Sequence, residues 1–335
     1  MLDVSITLQQ AYDLFILDRS TTCSEKTVKD YADHMEYFVK FICESFNMKA
    51  SDIYIDSINI IHLNEYTLYL RNKPKFQNHP FFDKSGLNNE KLSNNSVRTY
   101  QRSVKVFYNW LYEMDYIEKN TAKKWRFVKA AKKEKLPLYS DEVIRMDAQF
   151  NENCVTGLRN LCIVHLMLDA GLRMGEVKRL KIKDVLFDKG LLFIEDSKGN
   201  KSRYVPIGRK LKQYLYKYMV LYRDISFDQT GLSEYNIDDY LFLRIRNNEH
   251  ITDDVIKQLF QKLKKRADIP RLHPHLCRHT FATSYILQGG DLESLRLILG
   301  HEDIATTQKY LHLANTYMYL GSDIYKIDKV FFKRL

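Results

Sequence analysis

The chain has 335 residues, 45% of them hydrophobic and 28% charged, and a formal charge of +10 at neutral pH. Two domains with real cores are expected at that length, and the basic balance favours a polyanionic partner, nucleic acid before membrane. The five cysteines are scattered without a CxxC pair, and neither a membrane-length apolar run nor a signal-like N-terminus is present, which excludes a disulfide framework, a zinc ribbon and a membrane protein and fits a reducing, cytoplasmic setting.

The first half reads as an all-helical bundle. After a short helical pattern near residues 5–18, EKTVKDYADHMEYFVKFICESF places Val28, Tyr31, Met35, Phe38, Ile42 and Phe46 at spacings of three and four. A second short pattern lies near 58–71. SVRTYQRSVKVFYNWLYEM then repeats the stripe with Val97, Tyr100, Val104, Phe107, Leu111 and Met114, behind the candidate caps Ser93 and Asn95. Residues 72–91 carry two prolines and no periodicity, and are expected to form a loop. In TAKKWRFVKAAKKEKLP, residues 121–137, Lys123, Lys124, Arg126, Lys129, Lys132, Lys133 and Lys135 face a single acid, Glu134. Such a run is either a solvated linker or one laid along phosphates. The overall charge favours the second, each phosphate contact adding salt-sensitive affinity.

The second half changes character. TGLRNLCIVHLMLDAGLRMGEVKRL predicts a buried helix, a break at Gly171 and a second helix. DVLFD, LLFIED and SRYVPI predict short β-strands separated by turn signals, SKGN above all. Helices return in DDVIKQLFQKLKKRAD and in HLCRHTFATSYILQ, which Gly289 and Gly290 stop. DLESLRLILG follows, with Asp291 as N-cap and Gly300 just past its end.

Four places in this half hold polar residues that a purely structural sequence does not need. Arg173 follows the glycine break, and Lys198 sits at the tip of the predicted hairpin. His275 and Arg278 open a helix, and His301 and Tyr310 stand nine residues apart in LGHEDIATTQKY. Taken singly, these are a salt-bridge arginine, a solvated lysine, a capping histidine and a core tyrosine. Together, in the words GLRMGE, SKGNKSRYVPI, HLCRHTFAT and LILGHEDIATTQKYLH, their order and spacing resemble the catalytic domain of the tyrosine recombinases, the phage-integrase family. The resemblance covers residues from about 140 to 315. Its departures are Cys277, where many members carry leucine, and the long stretch 224–250. The helical first half is similar to the family's SAM-like core-binding domain, on pattern alone.

The resemblance implies a mainly α fold with a small antiparallel β-sheet: a helical SAM-like core-binding domain at 1–122, a basic linker at 123–137 and a mixed α/β catalytic domain at 138–323. A tail at 324–335, ending in Val330, Phe331, Phe332 and Leu335, is expected to contact a neighbouring protomer. The implied activity is site-specific cutting and rejoining of DNA. Tyr310 attacks a phosphodiester to form a 3′-phosphotyrosyl link, while Arg173 and Arg278 clamp the equatorial oxygens. His275 acts as general base, His301 as hydrogen-bond donor to a phosphate oxygen, and Lys198 as general acid for the leaving 5′-hydroxyl. Glu176 holds Arg173. Lys201 and Arg203 join the linker cations in contacting DNA. No metal and no cofactor are required.

The implied partners are a double-stranded DNA recombination site, three further copies of the chain in a tetrameric synaptic complex, and accessory DNA-bending or directionality proteins. The insertions favour the integrase or transposase of a mobile element, with a chromosome-dimer-resolving recombinase and a type IB topoisomerase-like enzyme as alternatives. A metallohydrolase built on His273, His275, His279, His301 and His312 lacks both an HExxH pair and an acid at ligand spacing.

Overall fold

In the computed structural model, which describes residues 6–74, 91–129, 136–195, 202–223, 238–244, 249–320 and 323–332, the chain divides into two units, Met1–Lys133 and Glu134–Leu335. The first holds α1 (Leu8–Thr22), α2 (Glu25–Phe46), α3 (Ile60–Asn72) and α4 (Asn94–Glu113). Thr7 starts α1 with a capping box: its hydroxyl accepts from the Gln10 amide, and the Gln10 side chain accepts from the Thr7 amide. Ser93 caps α4 by accepting from the Ser96 amide at 3.2 Å, and Asn95 falls inside the helix. The stripes meet as their spacing requires. Met35, Phe38, Ile42, Val97, Val104, Phe107 and Leu111 are sealed from solvent around Phe15, whose ring meets Tyr31, Phe107 and Trp110 edge-on.

The basic stretch is not a free spacer over its first part. Ala122 and Trp125 are buried in this unit, and the Val128 amide donates to Gln101 Oε1 at 3.1 Å. The stretch is therefore anchored as far as Lys129, with Lys123, Lys124, Arg126 and Lys129 exposed upon it. Lys132, Lys133 and Lys135 lie outside the described residues, as does most of the expected loop at 72–91.

The second unit runs through α5 (Ser140–Asp147), α6 (Val155–Leu168), α7 (Met174–Arg179), β1 (Val185–Leu186), β2 (Leu191–Ile194), β3 (Arg203–Pro206), α8 (Arg209–Tyr222), α9 (Asp253–Arg266), α10 (Pro274–Leu287), α11 (Leu292–Leu299) and α12 (Ile304–Leu320). Buried from Gly157 to Leu168 except at Asn160, α6 packs against α8 and α10, and α10 in turn against α12. The strands form one antiparallel sheet in the order β1-β2-β3. Its register pairs Ile194 with Arg203 at the end of the β2–β3 ladder; Lys198 and Lys201, between them, lie outside the described residues. No helix among the described residues is long and apolar enough to cross a membrane.

The segment after α12, expected to reach a neighbouring protomer, lies on its own unit over the described residues. Ile324 bridges Tyr139, the Tyr325 amide donates to Leu138 O, and the Ile327 amide donates to Ser284 Oγ. Ile324, Ile327 and Phe331 are buried, with Phe331 edge-on to Phe281 at 5.1 Å. The described apolar residues of the tail thus find cover within the chain itself.

A polar chain under this segment ties it to α6. Tyr325 Oη donates to Asp169 Oδ1 at 2.9 Å, His165 bridges Asp169 and Asp147 at 2.7 and 2.9 Å, and Lys210 reaches Asp147 at 2.7 Å. Burial alone would push the His165 imidazole down, but Asp169 and Asp147 outweigh it and raise its pKa from 6.5 to about 9. Since the folded value exceeds the unfolded one, the stabilisation is fully present below pH 6.5 and is lost as pH rises through about 9. Chemical denaturation should show stability falling over that window by roughly 2–3 kcal/mol more in the wild type than in His165→Gln. Parallel pH profiles for the two proteins would show that the bridge holds no extra proton.

Candidate active site

The site is built on the end of α11. A helix leaves its last carbonyls without intrahelical donors, at the negative end of its dipole. Gly300 ends α11 in the left-handed region at φ 62°, and the turn's own amides satisfy Arg296 O and Leu297 O. The next three carbonyls each take one arginine. Ile298 O accepts from Arg203 Nε at 2.6 Å, Leu299 O from Arg278 Nη2 at 2.7 Å, and Gly300 O from Arg173 Nη2 at 2.7 Å. A Cβ at Gly300 would stand 2.9 Å from Arg203 Nη1, so glycine is needed for space as well as for backbone conformation.

Glu176, in the first turn of α7 and only 8% exposed, holds the same arginines from the other side. Its Oε1 accepts from Arg173 Nη1 at 2.9 Å and Arg203 Nη1 at 3.0 Å, and its Oε2 from Arg203 Nη2 at 2.9 Å and the Arg173 amide at 2.7 Å. Arg278 Nη1 lies 3.9 Å from Oε2. Burial would raise the Glu176 carboxyl, but Arg203 and Arg173 outweigh it and hold it below the usual carboxylate range. Three guanidinium groups thus share one carboxylate, leaving the cluster with an excess of positive charge. Burial, then Arg173, pushes Arg278 down to about 9, still a cation at neutral pH. Its Nη1 donates to Gly171 O at 2.6 Å. Gly171 makes this possible: at φ 68° it approaches α10 so closely that a Cβ would fall 2.5 Å from the Phe281 ring.

His301 Nε2 lies 3.1 Å from Arg278 Nη2, and Nδ1 lies 2.9 Å from Thr307 Oγ1. A guanidinium can only donate, so Nε2 accepts and the imidazole proton sits on Nδ1, facing the buried Thr307. Burial, then Arg278, Arg173 and Arg203, pushes His301 down to about 4, so it is neutral at physiological pH. Thr307 and Tyr310 stand three residues apart on α12, so one helix face carries both the partner of His301 and the phenol. Tyr310 is partly buried, its ring centroid 5.4 Å from that of His279. Burial raises the phenol pKa, while Arg278 and Arg173 pull against it. His275 is exposed in the first turn of α10, two residues after His273, whose Nδ1 accepts from the Leu276 amide at 3.2 Å. A cavity of 560 Å³ opens beside the cluster, lined among others by Arg173, Arg179, Glu195, His301, Glu302 and Asp303.

Hydrogen bonds therefore join Arg173 to Glu176 and Arg278 to His301, an ion contact links Arg278 to Glu176, and Tyr310 lies in the field of the arginines. Arg203, expected to face DNA, is instead committed to Glu176 and Ile298 with its side chain 11% exposed. Sequence reading missed Thr307 and the three carbonyls. Thr307 had a signal in its spacing of three from Tyr310; backbone acceptors have none. The arrangement suits a reaction in which an anion with charge spread over several oxygens meets a weakly acidic hydroxyl.

A profile described as the Phage integrase family matches residues 137–316, and one described as the Phage integrase SAM-like domain matches residues 7–127. Tyrosine recombinase XerC of Oceanobacillus iheyensis is 28% identical over 319 residues, 93% of this chain and 94% of its own. That of Lactobacillus leichmannii is 30% identical over 225 residues, 67% of this chain and 74% of its own. Among solved structures, the Tn1549 transposon integrase in complex with a circular intermediate DNA aligns with a TM-score of 0.68 at 18% identity, covering 94% of this chain and 100% of that one. The XerH recombinase bound to palindromic difH substrate gives 0.66 at 16%, covering 96% and 90%. Both share the mostly helical fold with its small antiparallel sheet.

Glu176→Gln keeps the shape of the side chain but removes the charge that three arginines share. Breaking a buried pair of this kind costs about 3 kcal/mol, which urea unfolding should register as a lower midpoint. An unchanged midpoint would mean that the α11 carbonyls alone hold the arginines.

Proposed function

The chain belongs to the phage integrase family of tyrosine recombinases, enzymes that cut and rejoin DNA, and on that premise we propose that it recombines two DNA sites through a 3′-phosphotyrosyl link made by Tyr310. The observation that carries this reading is the gathering of Arg173, Arg203 and Arg278 around the single carboxylate of Glu176, with His301 bonded to Arg278 and Tyr310 partly buried on α12.

The scissile phosphate sits where Arg173 and His301 line the cavity, with Arg278 bonded to His301 behind it. There it takes the donor that Arg278 gives to His301 in the free protein, and the anion's charge raises the proton affinity of the released Nε2. His301 then donates to the phosphate. Tyr310 Oη attacks phosphorus as its proton passes to His275, the bond to the 5′ oxygen breaks, and Lys198 protonates that oxygen. A 5′-hydroxyl from another strand reverses the sequence and releases Tyr310. Arg203 serves by fixing Glu176. Lys123, Lys124, Arg126, Lys129, Lys132, Lys133, Lys135 and Lys201 bind DNA backbone. Exchange between two duplexes calls for four subunits, one per strand cut.

Of the two biological settings, relatives called tyrosine recombinase XerC favour a chromosome-dimer-resolving recombinase over the mobile-element integrase expected from the insertions. The likeness to a transposon integrase, at 18% identity, speaks to the fold alone.

A nicked suicide substrate should trap the protein on DNA, with the nucleotide on the peptide that carries Tyr310. Tyr310→Phe should bind the same DNA and form no adduct; an adduct formed by that variant, or mapped to Tyr317, sinks the assignment. Lys198→Ala should slow cleavage of ordinary DNA at least tenfold more than cleavage of a 5′-bridging phosphorothiolate, because a thiolate leaves without a proton. Equal slowing on both substrates would make Lys198 a phosphate-positioning charge.

A further inference from the structure

The last turn of α7 holds two basic residues in different circumstances. Lys178 Nζ pairs with Asp253 Oδ1 at 2.8 Å. Arg179 is exposed, lines the 560 Å³ cavity with Arg173 and His301, and has no hydrogen-bond or ion-pair partner among the described residues. Its guanidinium lies back over Gly175, one turn earlier, where Nη1 and Nη2 would stand 3.4 and 3.9 Å from a Cβ. The missing side chain leaves a bed that carries Arg179 toward Arg173. Arg173 and Arg179 thus line one cavity, where each can take a different phosphate of the same strand. Glu195, Glu302 and Asp303 line the same cavity, and their charge repels a backbone from their side, leaving the α7 side open to it.

We propose that Arg179 binds the phosphate next to the scissile one on the cut strand and so sets the register in which the DNA meets Tyr310. The proposal rests on the reading of the cavity as the scissile-phosphate site. Arg179 is a positioning residue: it steadies the strand and takes no part in moving protons or breaking bonds. One phosphate contact has a signature in salt dependence that a structural role lacks.

The test compares wild type, Arg179→Ala and Arg179→Lys on a duplex half-site, measuring affinity against salt and the single-turnover rate of adduct formation at saturating DNA. Arg179→Ala should weaken binding about tenfold near physiological salt, flatten the log–log salt slope by roughly 0.9 and, with the register no longer set, slow adduct formation at saturating DNA. Arg179→Lys should recover most of the affinity. A neutral methylphosphonate at the adjacent phosphate should cost the wild type the same factor and Arg179→Ala nothing more. An unchanged salt slope, or losses that add at that phosphate, would overturn the proposal. Adduct formation by the wild type, followed in parallel, reports separately on the reading of the site.

Discussion

Everything in the catalytic unit is arranged around keeping three arginines together before any anion arrives. Like charges at such spacing repel, and burial removes the water that would screen them. Two sources of negative potential offset this: the Glu176 carboxylate and the three carbonyls at the end of α11. Neither is enough to neutralise the cluster, and the residual charge fixes the state of its neighbours. Burial, and then this charge, push His301 down to about 4, leaving Nε2 as an acceptor for Arg278. The charge also opposes the burial that raises the Tyr310 phenol. On the proposed reading the site is a preorganised anion receptor, and preorganisation of this kind lowers a barrier without reorganisation during the reaction.

The same constraint explains the Leu-Gly-His triplet. Leu299 is sealed in the core and anchors the helix end. Gly300 turns the chain so that carbonyls 298 to 300 face the arginines, and His301 emerges where Arg278 and Thr307 reach its two nitrogens. The opposite wall depends on α6. Asp169 ends that helix, two residues before Gly171, and its carboxylate is shared by His165 and Tyr325. The segment that trails α12 therefore braces the turn that presents Gly171 O to Arg278 and leads into Arg173.

Much of this was legible in the sequence, for identifiable reasons. The stripes of α2 and α4 are long and regular, so burial of Met35, Phe38, Val104 and Phe107 followed from period alone. The order of Arg173, His275, Arg278, His301 and Tyr310 was visible because chemistry needs those side chains whatever the surroundings. Partnerships were less visible. Arg203 read as an exposed hairpin cation, and only its register opposite Ile194 turns it toward Glu176. Seven cations hid the fact that Ala122 and Trp125 anchor the stretch around them. The tail's apolar end, Val330, Phe331, Phe332 and Leu335, read as an uncovered cluster because the sequence does not reveal that Phe281 receives Phe331 and Ser284 holds the Ile327 amide.

The central claim is that the arginine cluster is a receptor for the scissile phosphate, formed before DNA binds. A crystal structure of the Tyr310→Phe variant on an uncut recombination site tests it most directly. The scissile phosphate should lie within hydrogen-bond distance of Arg173 and Arg278, with His301 Nε2 turned from accepting to donating and the Glu176 contacts to Arg203 unchanged. A scissile phosphate held elsewhere, or a Glu176–Arg203 pair that comes apart to admit it, would contradict the account.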